Sequence, residues 1–180
     1  MSGFRRLGEE EIHRGPVIWV GRAAVETPEG EEIEREIVHH PGAVVVVPVT
    51  DAGTVLLVRQ YRAPLDRELL ELPAGKRDVD GEPPEVTANR ELGEEIGRHA
   101  GRLDLIATFW NSPGFCDEHT HLYLAQDLTT VDTEPQHHEE AHLVVEEIPL
   151  RQVPARIAAG DITDAKTLIG LLLVLRERSE

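Results

Sequence analysis

The chain has 180 residues, of which 40% are apolar and one is cysteine, and its formal net charge is −16. This composition suits one domain with a substantial core and room for a small extra lobe. The single cysteine, Cys116, excludes an internal disulfide, and the negative charge argues against a nucleic-acid backbone or an anionic membrane as the main partner. No apolar run approaches the about 20 residues of a membrane span, and the charged N-terminus is unlike a signal peptide, so we expect a cytoplasmic location.

The first half of the chain predicts strands joined by tight turns. Residues 17–25 and 32–40 form the first predicted hairpin, around a Thr-Pro-Glu-Gly turn. The apolar run 43–49 and residues 54–61 form a second predicted hairpin, around an Asp-Ala-Gly turn. Both turns contain the residue types that reverse the chain most readily.

The later part of the chain predicts one helix, three strands and two closing helices. The strands cover residues 102–110, 119–125 and 142–148, and the closing helices cover about 150–159 and 164–177. Strands and helices in this order are typical of a mixed sheet with flanking helices, so the sequence predicts an α/β fold.

The first helix has clear ends and an acidic cluster. Pro83 and Pro84 fit its first turn and Gly97 fits its end. At about 100° of rotation per residue, Glu91 and Glu95 stack one turn apart with Glu94 beside them. Like charges at this spacing repel, so a bound cation is one explanation, and a solvated polar face neutralised by arginines is the alternative. The opposite, apolar side of the helix carries Val86, Ala88, Leu92 and Ile96.

The segment 75–97 resembles the Nudix box, G-x5-E-x7-R-E-U-x-E-E-x-G-U, in which U is aliphatic. Its fixed positions are occupied by Gly75, Glu82, Arg90, Glu91, Leu92, Glu94, Glu95 and Gly97. Six residues rather than five separate Gly75 from Glu82, and Arg98 takes the last aliphatic position. The extra residue falls in the loop before the helix, where an insertion costs little.

This resemblance implies a domain organisation and an assembly. Residues 41–180 are expected to form a Nudix α/β/α sandwich with a mixed sheet, and residues 1–40 an N-terminal antiparallel β extension. The family further implies a homodimer in which the N-terminal strands exchange and help to complete the partner's site. Composition alone gives no sign of this dimer.

The family also implies a metal. A pyrophosphate carries clustered negative charge that repels an incoming water, and a hard cation such as Mg²⁺ or Mn²⁺ neutralises it. By resemblance, Glu82 and Arg90 form a structural ion pair, and Glu91 and Glu95 are catalytic as metal ligands. The full implied ligand set is the backbone carbonyl of Ala74 with the carboxylates of Glu91, Glu94 and Glu95.

A loop after the box is similar to the substrate loop of the ADP-ribose pyrophosphatase subfamily. Pro113 lies sixteen residues after Gly97, in a Ser-Pro-Gly sequence followed by Glu118. A Ser-Pro-Gly triplet alone would be an ordinary turn. By resemblance, Pro113 and Gly114 line the site and Glu118 lies near the substrate.

Two arginines lie in segments that resemble substrate-binding patches of the same subfamily. Arg35, in an Arg-Glu-Ile-Val sequence, is expected to stack on the adenine through its guanidinium plane. Arg62, in a Gln-Tyr-Arg sequence, is expected to reach the phosphates as a bidentate fork. For each arginine, a surface charge without function is the alternative.

The box lacks a general base, which relatives supply from a mobile loop between two late strands. Here residues 133–141 contain a His-His-Glu-Glu-Ala sequence similar to that of relatives of the actinobacterial type. Glu140 is the expected base and Glu139 the reserve, while a solvated acidic loop is the alternative. The adjacent histidines could suggest zinc, but no Cys/His spacing elsewhere completes a four-ligand site.

The predicted function is divalent-metal-dependent hydrolysis of the pyrophosphate of ADP-ribose to AMP and ribose 5-phosphate. One alternative is hydrolysis of another nucleoside diphosphate sugar or dinucleotide, because loops set the selectivity for base and sugar. The other alternative is a Nudix-type module that binds such an effector without hydrolysing it. The intact box acids favour the enzyme.

Overall fold

A computed structural model describes residues 3–132 and 142–178. The chain divides into two compact units, the first containing Met1–Gly42 and Phe109–His119, and the second containing Ala43–Thr108 and Thr120–Glu180. The division expected after residue 40 lies two residues from the first of these boundaries. Residues 109–119 also belong to the first unit. This was not expected, because the sequence prediction divided the chain at a single point.

The first unit is built on an antiparallel sheet of three strands, β1 (Arg5–Arg14), β2 (Trp19–Glu26) and β3 (Glu32–His39), with β2 in the centre. The β2–β3 hairpin was predicted, and Gly30 closes its turn at φ 85°, a conformation that suits glycine. Strand β1 was not predicted, because its sequence is charged rather than apolar. Every residue of β1 is exposed in the single chain.

As far as the described residues show, two sheets lie mainly in the second unit. The mixed sheet has the order β7 (Ala74–Lys76), β4 (Ala43–Pro48), β9 (His119–Thr130) and β8 (Arg98–Trp110), and β4 runs parallel to β9 and antiparallel to β7. The antiparallel sheet has the order β10 (Val144–Pro149), β5 (Thr54–Arg62) and β6 (Arg67–Glu71).

The predicted hairpin of residues 43–49 and 54–61 is wrong in its pairing. The turn between the strands is present, with Gly53 at φ 73°, and an isolated bridge joins Val49 to Val55. Beyond that bridge, β4 and β5 enter different sheets. Every residue of β4 is buried, and a continuous apolar run buried on both faces favours a central strand of a mixed sheet.

Among the described residues of the second unit, the α-helices are α1 (Pro84–Ile96), α2 (Val153–Ala158) and α3 (Ala165–Glu177). As predicted, α1 begins at the paired prolines and ends at Gly97, whose φ of 61° is left-handed and whose N–H caps the last turn. None of the helices in residues 3–132 and 142–178 is long and apolar enough to cross a membrane.

Helices α1 and α3 pack on opposite faces of the mixed sheet. Successive side chains of a strand point to opposite faces, and Val44 and Val46 belong to the same buried cluster as Leu92 of α1. On the other face, a Cβ placed on Gly170 of α3 would come within 2.9 Å of Val47. The predicted α/β/α sandwich with a mixed sheet is therefore confirmed.

Candidate active site

Helix α1 places the acidic cluster partly inside the fold. Glu91 and Glu94 are only 7% and 8% exposed, and Glu95 is half-buried. Val86, expected on the apolar side of the helix, is instead 49% exposed. The acidic and apolar sides are thus less separate than the sequence predicted. Buried carboxylates cost free energy unless hydrogen bonds or cations compensate them.

Arg90 supplies part of this compensation. Its Nη1 lies 2.9 Å from Glu91 Oε1 and 2.9 Å from Glu94 Oε2, and its Nη2 lies 3.6 Å from Glu82 Oε2. Burial lowers the pKa of Arg90, but the charges of these three glutamates outweigh it and raise the pKa above its ordinary value. The expected Glu82–Arg90 ion pair is therefore present, and the same guanidinium also neutralises two of the expected metal ligands.

The backbone of β7 lies directly against the acidic cluster. A Cβ at Gly75 would overlap with the carboxyl group of Glu91, so only glycine permits this approach. The N–H of Ala74 donates to Glu95 Oε2 at 3.1 Å. The fixed glycine of the box thus has a steric reason, and it brings Ala74 next to the carboxylates with which it is expected to share a metal.

The donor set fits a hard divalent cation. Carboxylate and backbone carbonyl oxygens are the ligands that Mg²⁺ and Mn²⁺ prefer, and the close approach at Gly75 brings both kinds together. Within residues 3–132 and 142–178, no three acidic, histidine or cysteine side chains already converge in a geometry that would hold a metal. Since Arg90 engages Glu91 and Glu94, a cation binding here competes with that guanidinium.

Arg62, the expected phosphate ligand, is held by a carboxylate that the sequence interpretation did not single out. Its Nε donates to Glu71 Oε1 at 2.7 Å and its Nη2 donates to Glu71 Oε2 at 2.6 Å. The hydrogen bonds to Glu71 are the main reason that the pKa of Arg62 is raised, and the charges of Glu95 and Asp164 add to it. Arg62 therefore lies within the electrostatic reach of the acidic cluster.

A buried clamp fixes the segment that leads to Ala74. The N–H of Leu72 donates to Thr167 Oγ1 at 2.9 Å, and the Thr167 hydroxyl donates to Asp164 Oδ2 at 2.8 Å. Asp164 caps α3, and its pKa lies below the ordinary value because Lys166, 2.7 Å away, and the Thr167 hydrogen bonds outweigh burial. The sequence signal for this clamp was an aspartate directly before an apolar helix.

The Ser-Pro-Gly loop, residues 111–118, lies in the first unit and is attached to the end of β3. The N–H of Val38 donates to the Phe115 carbonyl at 2.7 Å, and the N–H of Asp117 donates to the Val38 carbonyl at 3.1 Å. These hydrogen bonds form an isolated parallel bridge between Val38 of β3 and Cys116 of the loop. The expected substrate-binding residues of the loop are Pro113 and Gly114, which are exposed, and Glu118, which is half-buried.

The expected site residues fall into three groups. The second unit brings the acidic cluster, Ala74 and Arg62 together. The first unit holds the Ser-Pro-Gly loop and Arg35, an exposed residue of β3 whose Nη1 donates to the Glu34 carbonyl at 2.7 Å. Glu140 and its reserve Glu139 lie outside the described residues.

Known proteins resemble this chain in sequence and in fold. The family model of the NUDIX domain matches residues 39–168. An ADP-ribose pyrophosphatase of Bacillus subtilis (strain 168) is 42% identical over 163 residues, which cover 91% of this chain and 88% of that protein. An ADP-ribose pyrophosphatase of Mycobacterium tuberculosis is 39% identical and covers 95% of this chain and 83% of its own. A crystal structure of an ADP compounds hydrolase superposes with a TM-score of 0.84 at 25% identity, covering 96% of this chain and 92% of that one.

Proposed function

The chain belongs to the Nudix family, and on that premise we propose that it hydrolyses the pyrophosphate bond of ADP-ribose to AMP and ribose 5-phosphate. The observation that carries this proposal is the similarity to ADP-ribose pyrophosphatases along nearly the whole chain. The largely buried acidic cluster beside Gly75 supports hydrolysis of a pyrophosphate, because a diphosphate bound there needs a cation to neutralise its charge.

We propose Mg²⁺ or Mn²⁺ as the cation. When bound, it neutralises the phosphate oxygens and activates a water for attack. The residues that would hold it are the carbonyl of Ala74 and the carboxylates of Glu91, Glu94 and Glu95.

Each remaining site residue has a proposed task. Arg62 is engaged by Glu71 through Nε and Nη2, so Nη1 is the atom that we propose contacts a phosphate. Arg35 stacks on the adenine, and the Ser-Pro-Gly loop positions the substrate through Pro113, Gly114 and Glu118.

Glu140 is the proposed general base, on the basis of sequence similarity alone. A carboxylate in this role accepts the proton of the attacking water. Replacing Glu140 by Gln is expected to lower kcat by about 100-fold, the scale of losing one general base. If Glu139→Gln shows that loss and Glu140→Gln does not, the base is Glu139.

The test of the metal site compares two glutamates of the same helix. Glu95→Gln removes a proposed ligand and is expected to lower kcat by about 100-fold or more, because several kcal/mol of charge stabilisation are lost. Glu85→Gln, at an exposed position in the first turn of α1, is the control and should retain wild-type turnover. Equal turnover of the two variants, measured as AMP release with Mg²⁺, would contradict the metal assignment.

The test of the substrate is a panel of ADP-ribose, ADP-glucose, GDP-mannose, NADH and diadenosine polyphosphates, each with Mg²⁺ and with Mn²⁺. A preference for ADP-ribose in kcat/KM is expected. A higher kcat/KM for another member would identify a hydrolase of a different nucleotide. Calorimetric binding of ADP-ribose without product release would identify an effector-binding module.

We also propose a homodimer formed through the N-terminal strands. Strand β1 is an edge strand, every residue of it is exposed, and its exposed side chains include Leu7 and Ile12. An exposed edge with apolar side chains is a surface that a second chain can cover. Light scattering should give twice the monomer mass, and the double substitution Leu7→Glu with Ile12→Glu should give the monomer mass. A monomeric wild type would refute this assembly.

The proposed partner is a small nucleotide, with neither nucleic acid nor membrane, and the proposed location is the cytoplasm. A net charge of −16 disfavours polyanionic surfaces, and a single cysteine is typical of a reducing compartment.

A further inference from the structure

His39, the last residue of β3, lies between two carboxylates of the first unit. Its Nδ1 lies 2.5 Å from Asp117 Oδ2, and its Nε2 lies 2.8 Å from Glu9 Oε1. Because an ionised carboxylate can only accept a hydrogen bond, both contacts are hydrogen bonds only when both ring nitrogens carry a proton. The geometry is therefore that of an imidazolium that donates on both sides.

The ring is held in place by its neighbours. Trp19 stacks on His39 with the ring centroids 3.8 Å apart and the planes inclined by 16°. The guanidinium of Arg14 lies 5.4 Å from the centroid of Trp19. A stacked and mostly buried ring has little freedom to turn away from the two carboxylates, so the double contact is a property of the fold.

Glu9 reaches His39 across the central strand of the sheet. Strands β1 and β3 both pair with β2, which lies between them. A Cβ at Gly21 of β2 would clash with the carboxyl group of Glu9. Glycine at this position therefore leaves the space through which a β1 carboxylate meets a β3 imidazole.

Asp117 connects His39 to the Ser-Pro-Gly loop. While Oδ2 of Asp117 accepts from the imidazole, its Oδ1 accepts the N–H of His40 at 2.9 Å. The Asp117 side chain thus adds a second connection between the loop and β3, beside the backbone hydrogen bond between Val38 and Phe115. The loop is joined to β3 by two backbone hydrogen bonds and by one carboxylate that the imidazolium neutralises.

We propose that His39 is a positioning residue that holds the Ser-Pro-Gly loop, through Asp117, in the conformation that binds substrate. The role in substrate binding rests on the proposed function, whereas the hold on the loop does not. When the ring loses its proton, one nitrogen lone pair faces a carboxylate, the contact becomes repulsive, and the loop loosens.

The direction of the pH dependence follows from the surroundings of the ring. Burial lowers the pKa of His39, but the hydrogen bonds to Glu9 and Asp117 outweigh burial and raise it above the ordinary value of 6.5. A raised pKa means that the attachment is complete below pH 6.5 and is lost as the pH rises through the pKa of the folded protein. Among the described residues, further charged or titratable groups close to this cluster include Arg14, His40, and Arg6, which forms an ion pair with Glu9.

The first test uses Cys116, the single cysteine of the chain, and needs no substrate. Its N–H donates to the Ser112 carbonyl at 2.9 Å within the loop, and burial raises the pKa of its thiol. A loosened loop exposes this thiol, so its rate of reaction with a disulfide reagent such as DTNB measures the attachment. Circular dichroism spectra that match the wild type establish that each variant is folded.

Substituting His39 by asparagine or by glutamine tests its contacts with Asp117 and Glu9 one at a time. The amide nitrogen of His39→Asn takes the place of Nδ1 and can still donate to Asp117, whereas that of His39→Gln takes the place of Nε2 and faces Glu9. At pH 6.5 we expect His39→Gln to react about 5- to 10-fold faster than the wild type, the scale of one charge-assisted hydrogen bond, and His39→Asn to stay near the wild-type rate. The ratio of the thiol reaction rate of His39→Gln to that of the wild type should approach one as the pH rises through the pKa of His39 in the folded protein.

The control is His13→Gln, which changes an exposed histidine of β1 and should give the wild-type rate of thiol reaction. Equal rates for His39→Gln and wild type at pH 6.5 would overturn the proposal.

The second test measures steady-state hydrolysis of ADP-ribose with Mg²⁺. At pH 6.5, His39→Gln should raise KM by about 5- to 10-fold and leave kcat within about twofold, because the same hydrogen bond positions the loop but takes no part in bond breaking. Faster thiol reaction with an unchanged KM would overturn the role in substrate binding. If the wild type does not hydrolyse ADP-ribose, the proposed function fails together with that role, while the thiol rates still decide whether His39 holds the loop.

Discussion

The ion pair between Arg62 and Glu71 gives the sharpest test of how charge is balanced beside the acidic cluster. Glu71 is 1% exposed, whereas the side chain of Arg62 is 35% exposed. Removing either partner breaks the same two hydrogen bonds, but the charged group left behind differs in its burial. Without Arg62, a carboxylate is left buried and unpaired, whereas without Glu71 the guanidinium can turn toward water.

This asymmetry sets the expected magnitudes. Arg62→Met should lower the free energy of unfolding by about 4 kcal/mol, as expected for a buried ion pair that loses one partner. Glu71→Met should cost only about 2 kcal/mol, because the remaining charge is partly solvated. The double variant replaces the pair by two apolar side chains of similar length and should be at least about 1 kcal/mol more stable than Arg62→Met alone.

The assay is urea unfolding at pH 7 of the wild type, both single variants and the double variant. Arg67→Met and Glu68→Met change exposed residues of the adjoining strand β6 and are the matched controls, with effects within about 0.5 kcal/mol. The double variant should fold yet show a raised KM for ADP-ribose, because the proposed phosphate contact of Arg62 is gone. The reasoning is refuted if Glu71→Met costs as much as Arg62→Met, or if the effects of the two single changes add.

Three further substitutions test the same region. Gly75→Ala forces a methyl group into Glu91 and should destabilise the protein by about 2 kcal/mol in urea unfolding; wild-type stability would contradict the steric argument. Asp164→Ala removes the cap of α3 and should cost about 1 kcal/mol at pH 7. Because the pKa of Asp164 is depressed, that cost should shrink as the pH falls below 3.8, and a cost that is constant with pH would be inconsistent with it. Arg90→Gln removes the cation that competes for Glu91 and Glu94, so Mg²⁺ should raise the melting temperature more in this variant than in the wild type; an equal or smaller rise would contradict the competition.

The parts of the fold that follow a strong local pattern were predictable from the sequence. Helix α1 has prolines at its start and a left-handed glycine at its end, and the β2–β3 hairpin has a turn that only a few residue types form. Strand β1 has neither apolar alternation nor burial, so its pairing with β2 carries no local signal. The pairing of β4 with the distant β9, rather than with its neighbour β5, is a choice between non-local partners that no local pattern encodes.

In the candidate site, too, the features with a local sequence pattern were predictable and the contacts between separate elements were not. The grouping of the acidic residues along α1 was readable, because the helical period fixes which side chains share a face. The contacts that support the site were not readable, since they join different elements: Glu71 of β6 holds Arg62 of β5, and Thr167 of α3 holds Leu72. Such supporting contacts depend on where separate elements meet, and a single sequence does not record that.

The acidic cluster allowed two interpretations, a carboxylate face neutralised by arginine and a site for a divalent cation. The contacts of Arg90 support the first interpretation, and the proposed metal site would use the same glutamates. With Nη1 at 2.9 Å from both Glu91 and Glu94, the guanidinium supplies positive charge that lets both glutamates be buried. A divalent cation carries twice that charge, and carboxylate oxygens are the ligands it prefers, so in the proposed metal site it would displace the guanidinium from Glu91 and Glu94 while Arg90 keeps its contact with Glu82. In the proposed metal-bound form, the cation would supply the positive charge that Arg90 supplies in this structure, so the buried glutamates would be stabilised in either case.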